Sequence, residues 1–103
     1  MIGKRVYEVV DTFPKKEDYA LSSQLRRAVV SISSNIAEGC GRRTSKDTIQ
    51  FLYIALGSVN EVESQLCIAK EFGYLGDDVL KEVSNELREI GKMLMGFVNY
   101  ISG

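Results

Sequence analysis

The chain has 103 residues, 45% of them hydrophobic and 26% charged, with a formal net charge of −1. That length suits one domain burying roughly two-thirds of the surface its unfolded chain exposes, with no disulfide or metal staple required. The balanced charge excludes a globally basic nucleic-acid binder, so any polyanion site has to be local.

In the first segment Val6, Val9, Val10 and Phe13 recur on one helical face. Pro14, the only proline, bars helix through Phe13, because the residue before proline avoids the helical region. A short helix over about 2–12 is expected; it would be marginal alone and is held by packing. After a polar turn from Lys15 to Tyr19, a second helix runs over about 21–38. Its Leu21, Leu25, Ala28, Val29, Ile32 and Ile36 form a single apolar stripe. A second face carries Ser23, Val30, Ser34 and Ala37, small enough for another helix backbone to approach. Gly39-Cys40-Gly41 is expected to close this helix through a left-handed residue.

The third helix, over about 45–72, starts at Thr44 or Ser45, either of which caps free amides, with Asp47 at the positive end of the dipole. Leu52, Leu56, Val59, Val62, Leu66 and Ala69 form its core stripe, and Phe51, Ile54, Ile68 and Phe72 widen the apolar surface beyond what one stripe needs. The surplus on helices two and three exceeds what a lone subunit hides, so copies are expected to share it. Gly73 ends the third helix and Asp77 or Asp78 caps a fourth over about 77–101. There Leu80, Val83, Leu87, Ile90, Leu94, Phe97 and Ile101 repeat in three-and-four steps, the spacing of helices crossing at about 20° in left-handed bundles.

The expected fold is therefore all-α, one domain over 1–103, an antiparallel up-down-up-down left-handed four-helix bundle. In that topology the chain start and the loop between helices two and three share one end. Lys4, Arg5, Arg42, Arg43 and Lys46 would gather there against Asp47. This basic rim is a candidate for weak RNA or DNA association, since it borders a helix N-terminus and would be repeated in a ring of copies.

Histidine is absent from the sequence, which removes Ser-His-Asp and Cys-His catalysis and the usual zinc, haem and di-iron ligands. Glu61 and Glu63 are two apart on a helix and point to different faces, which argues against an acid/base pair. Cys40 and Cys67 show no CxxC spacing and lie too far apart on this reading to bridge, so both are expected as reduced thiols, one in a loop and one packed. GCGRR has neither the preceding strand nor the glycine spacing of a phosphate loop. Arg26 and Arg27, with Asn35 and Glu38 on helix two and Glu61 and Gln65 on helix three, are expected to form a polar network that fixes packing within or between subunits. No catalytic residue, metal, cofactor or small-molecule substrate is assigned. With no apolar run near the about 20 residues of a membrane span, and acids in MIGKRVYEVVD where a signal peptide is apolar, a soluble cytoplasmic protein is expected.

The stretch QLRRAVVSISSNIAEGCGRRTSKDTIQFLYIALGSVNEVESQLCIAKEFGYL, from Gln24 to Leu75, with FPKKEDYALSSQ upstream, resembles the proteins encoded in intervening sequences of bacterial 23S rRNA genes. The elements RRA, SNIAEG, FLYIA, GSVNEVESQL and GYL carry the likeness, which departs at Ser33, where the family usually has proline. The resemblance implies a four-helix bundle assembled as a homopentameric ring, with no catalytic motif and a molecular role not established. It extends to the accessory variability determinant of diversity-generating retroelements, a ring that binds nucleic acid and partners a reverse transcriptase, which implies one alternative, an accessory protein of that kind; a protein-interaction scaffold is the other alternative.

Overall fold

The computed structural model describes residues 2–103. Among them run four α-helices: α1 (Ile2–Val10), α2 (Leu21–Cys40), α3 (Ser45–Glu71) and α4 (Asp77–Ser102), with a 3-10 turn at Lys15–Glu17 before α2. No strand occurs among the described residues, so the chain is an all-α four-helix bundle. Among the described residues no helix is long and apolar enough to cross a membrane.

Cross-helix contacts give the directions. Gln24 meets Gln65, Ser31 meets Ser58 and Gly39 meets Phe51, so residue numbers rise along α2 as they fall along α3. Lys70 with Asp77, Glu63 with Arg88 and Leu56 with Gly91 show the same for α3 and α4. The helix α1 packs on α2 and α4, while α2 and α4 do not approach one another. They are the diagonal of the bundle, and α1 is what fills the corner between them.

The core follows from the stripes. Leu25, Ala28, Val29 and Ile32 of α2, Leu52, Ala55, Val59, Val62, Leu66 and Ala69 of α3, and Val6, Val9, Val10 and Phe13 at the start are all buried. On α4 the heptad seam departs from expectation. Leu94 and Val98 are buried, whereas Phe97 is 39% exposed. A straight helix drifts by about 20° per heptad against a strict seven-residue repeat, so after Leu94 the next inward position is four residues on.

The length of α1 also differs from expectation. Its 9 residues span about 13 Å, against about 30 Å for the 20 residues of α2 and about 39 Å for the 26 of α4. The bundle therefore has an upper part of four helices and a lower part of three.

Helix ends show which residues were assigned the wrong role. At the end of α2, Gly41 is right-handed with φ −90°, and the helix continues to Cys40 instead of closing at Glu38. Gly39 is buried inside it for a different reason: a Cβ there would lie 3.0 Å from the Phe51 Cβ and 3.3 Å from the Thr48 carbonyl oxygen. The Thr48 hydroxyl donates to the Gly39 carbonyl at 2.9 Å, tying the two helices together at this close approach. Thr44 caps α3 by accepting from the Asp47 amide at 3.2 Å. At the other end of α3, Gly73 adopts φ +78°, and the Gly73 and Tyr74 amides donate to the Lys70 and Ala69 carbonyls, a Schellman closure that only glycine enters without strain. The cap of α4 is Gly76, with Asp77 and Asp78 in the first turn, where they favour the dipole.

Candidate functional site

The lower loop holds part of the expected basic rim. Arg42, Arg43 and Lys46 are exposed there. Arg42 is committed: its guanidinium pairs with the Glu38 carboxylate one turn back and lies 4.8 Å from the centre of the Phe51 ring. Among the described residues neither Arg43 nor Lys46 makes an ion pair, so they are the cations this end presents to solvent.

Lys4 and Arg5 do not join them. Arg5 pairs with Glu82 near the start of α4 at 3.0 Å, and from Glu82 to Phe97, which borders the lower loop, α4 runs about 22 Å. Short connections do put the chain start on the descending side, but α1 is too short to reach the end. Lys4, exposed on α1, stays at the same mid-bundle level.

The expected polar network is also divided. Residues adjacent on a helix point about 100° apart, and Arg26 and Arg27, although both border one shallow depression beside Tyr7 and Val30, make different contacts. Arg26 turns to α1, pairing with Asp11 at 3.2 Å and lying 5.9 Å from the Tyr7 ring centre. Arg27 donates to Ser23 Oγ at 3.3 Å and shares a shallow groove between α2 and α3 with Gln24, Glu61 and Gln65. At the upper end of that groove Gln65 donates to Gln24 at 3.4 Å, and below it the Ser31 and Ser58 hydroxyls lie 2.8 Å apart. Asn35 donates to the Ser31 carbonyl at 2.8 Å, and Glu38 is taken by Arg42. What the sequence placed in one cluster is thus a ladder of short polar rungs along the outer α2–α3 seam. As half-exposed pairs, the ionic ones each contribute well under about 1 kcal/mol.

Flanking that seam is the apolar surplus. Val30 is 50% exposed, Ile54 and Ile68 46% each, and Phe72 65%. The cysteines depart from expectation as well: Cys40 is the last residue of α2 and not in a loop, and both it and Cys67 are free and exposed. Phe51 packs beside Gly39 near Cys40, so Cys67 lies about 24 Å farther along α3.

The upper end holds a feature not anticipated. Tyr74 lies 5.4 Å from Phe13 and 5.7 Å from Phe72 between ring centres, and its hydroxyl donates to the Glu17 carboxylate at 2.7 Å. That hydrogen bond, then burial, hold the Tyr74 phenol above its usual pKa of 10.0. Beside it, the hydrogen bond and charge of Asp77, 2.7 Å away, hold the Lys70 ammonium above its usual range. Because the Tyr74 pKa is raised on folding, its contribution is complete below pH 10 and is lost as pH rises through the folded value. Tyr74→Phe is therefore expected to melt below the native protein at neutral pH, with the gap closing above pH 10. A gap that stays constant to pH 12 in thermal unfolding scans would show the hydroxyl bond to be idle. The aromatic spacing Phe13, Phe72, Tyr74 was visible in sequence, but nothing local links residue 13 to 74.

Polar residues on the outer faces and one lower loop, around an apolar core of helices, define an all-α four-helix bundle. Residues 1–96 match the family described as 23S rRNA-intervening sequence protein, and the chain belongs to that family. In fold it is similar to the crystal structure of a protein with unknown function from the S23 ribosomal protein family of Bacteroides thetaiotaomicron. The two share 23% identity over 95% of this chain and 98% of that one, with a TM-score of 0.79. No curated protein matches the sequence.

Proposed function

We propose that the chain is a non-enzymatic assembly protein whose copies join through the outward faces of α2 and α3 into a closed ring, at the five copies the family resemblance implies. The observation carrying this reading is the exposure of Val30, Ile54, Ile68 and Phe72 around a polar seam, a patch of the kind that marks an interface. The seam would set register, and the small residues Ser34 and Ala37 would let a neighbouring helix approach. Two exposed free thiols suit a reducing compartment, so the cytoplasm is its proposed location.

Ile54→Lys with Ile68→Lys is expected to reduce the native mass to that of one chain while leaving the helical circular-dichroism signal unchanged. A native protein already monomeric at micromolar concentration defeats the reading.

A second reading, nucleic-acid association, is supported by Arg43 and Lys46 standing unpaired beside the N-terminus of α3. Two cations per copy bind weakly, and a ring would add their contacts. Retention of structured RNA should then fall steeply with salt and vanish in Arg43→Glu with Lys46→Glu. Retention insensitive to either counts against it.

A further inference from the structure

On the outer side of α2, Ser23, Arg27, Val30, Ser34 and Ala37 follow one another in steps of four and three residues. On α3 the same steps carry Ile54, Ser58, Glu61, Gln65, Ile68 and Phe72. A spacing of about 3.5 residues is the one by which a helix keeps a single line of contact with a neighbour. Each line holds one charge, Arg27 on α2 and Glu61 on α3. The rest of the α2 line is small or apolar, and the α3 line is apolar at both ends, with Ser58 and Gln65 already bonded to α2.

Neither charge has a counter-ion. Both residues are exposed and border one depression of about 410 Å³, yet among the described residues neither makes an ion pair, and Arg27 donates along its own helix to Ser23. The other charges of the two helices are accounted for. Arg26 pairs with Asp11 and Lys70 with Asp77, while Glu38 and Glu63 are taken by Arg42 and Arg88. Lys46 and Asp47 stand in the first turn of α3 and Glu71 is its last residue.

Height along the bundle matches the two charges. Gln24 meets Gln65 and Ser31 meets Ser58, which puts Arg27 and Glu61 at one level. In a closed ring whose axis follows the bundle all copies stand at the same level, so residues of equal height meet. Laying the α2 line of one copy on the α3 line of the next brings Arg27 onto Glu61 and sets Ile54 against the small Ser34. A carboxylate between Ile54 and Ile68 that is covered with no cation in reach is strongly penalised. The covering surface has to bring a cation, and the α2 line has one.

We infer that Arg27 of one copy pairs with Glu61 of the next, and that this charge pair selects the register and the partner face of the assembly. The inference rests on the ring proposed above and names the residues that make it specific. Because the contact joins two different surfaces, it repeats around a ring instead of ending in a dimer. A pair within one chain is the competing arrangement, and mixing chains tells the two apart.

The readout is native mass over a range of protein concentration, with the helical circular-dichroism signal as a check on folding. Arg27→Glu and Glu61→Arg are each expected to raise the concentration needed for assembly at least about tenfold, since each sets like charges face to face. The chain carrying both should assemble within about threefold of the native concentration. An equimolar mixture of the two single variants, at a concentration where each alone is monomeric, should recover species containing both, because every contact between unlike chains pairs opposite charges. Should a reversal lose its helical signal, Arg27→Gln and Glu61→Gln replace it, each weakening assembly about threefold or more. Asp18→Asn, which neutralises the acid bordering the adjacent depression with Arg27, should leave assembly unchanged. The inference is overturned if the native protein assembles and either reversal assembles equally well, if the doubly substituted chain does not assemble, or if Asp18→Asn weakens assembly as Glu61→Gln does. It is also overturned if the doubly substituted chain assembles while the mixture stays monomeric, which would put the pair within one chain. A native protein that never assembles overturns the ring reading itself, and the inference falls with it.

Discussion

Val98→Asp is expected to lower the unfolding free energy by at least about 3 kcal/mol, because it places a carboxylate where the side chain is 2% exposed. Domains of this kind have about 5–15 kcal/mol in total, so the variant should be close to unfolding at 37 °C. The neighbouring Phe97→Asp should lose no more than about 1–2 kcal/mol, since a 39% exposed position lets the new charge reach water. Urea titrations followed by circular dichroism at pH 7 measure both. If Phe97→Asp proves the worse of the two, the seam of α4 runs along the strict heptad after all, and Val98 faces outward.

The second large effect lies at Gly39, where α2 packs closely on α3. Gly39→Leu should destabilise by about 3 kcal/mol or more, because its first side-chain carbon already meets Phe51 at 3.0 Å and the Thr48 carbonyl at 3.3 Å, and the remaining atoms have to part the helices. Gly39→Ala sets two effects against each other. Alanine is favoured over glycine inside a helix by about 1 kcal/mol, and the overpacking costs about 1–3 kcal/mol, so a net loss is expected. Gly96→Ala isolates the propensity term, having nothing within 4 Å of its new carbon, and should stabilise by up to about 1 kcal/mol. Equal gains from the two alanine variants would mean that the close approach at Gly39 is absent.

These two sites also mark where sequence reading worked and where it stopped. Stripes of period 3.6 placed Leu25, Leu52, Leu66 and Leu87 in the core, because burial of an apolar face is a local pattern repeated many times along one helix. Thr44, one of two caps offered for α3, and Gly73 as the residue that ends it were legible for a similar reason: each depends on atoms within a turn. Gly39 was misread because glycine has two uses, a positive φ and a close approach, and only the partner helix tells them apart. Phe97 and Val98 were misassigned because adjacent apolar residues both fit a seam within one step. The extent of the rim was the largest error. Charge clusters were placed by topology alone, and topology says which way a helix points without saying how far it reaches. Arg5 accordingly sits beside Glu82, and Arg42 is drawn to Glu38 by a spacing, four apart on one helix, that the sequence did display. The fate of Cys67 was missed since one apolar neighbour on each side made it look packed.

One thiol at each end of a rigid rod about 44 Å long has a chemical consequence. Neither sulfur can reach the other within a molecule, so an oxidant has no loop to close, and a disulfide between two of these thiols has to join one molecule to another. Each chain is then bifunctional, and loss of reducing power is expected to link copies covalently where their thiols meet.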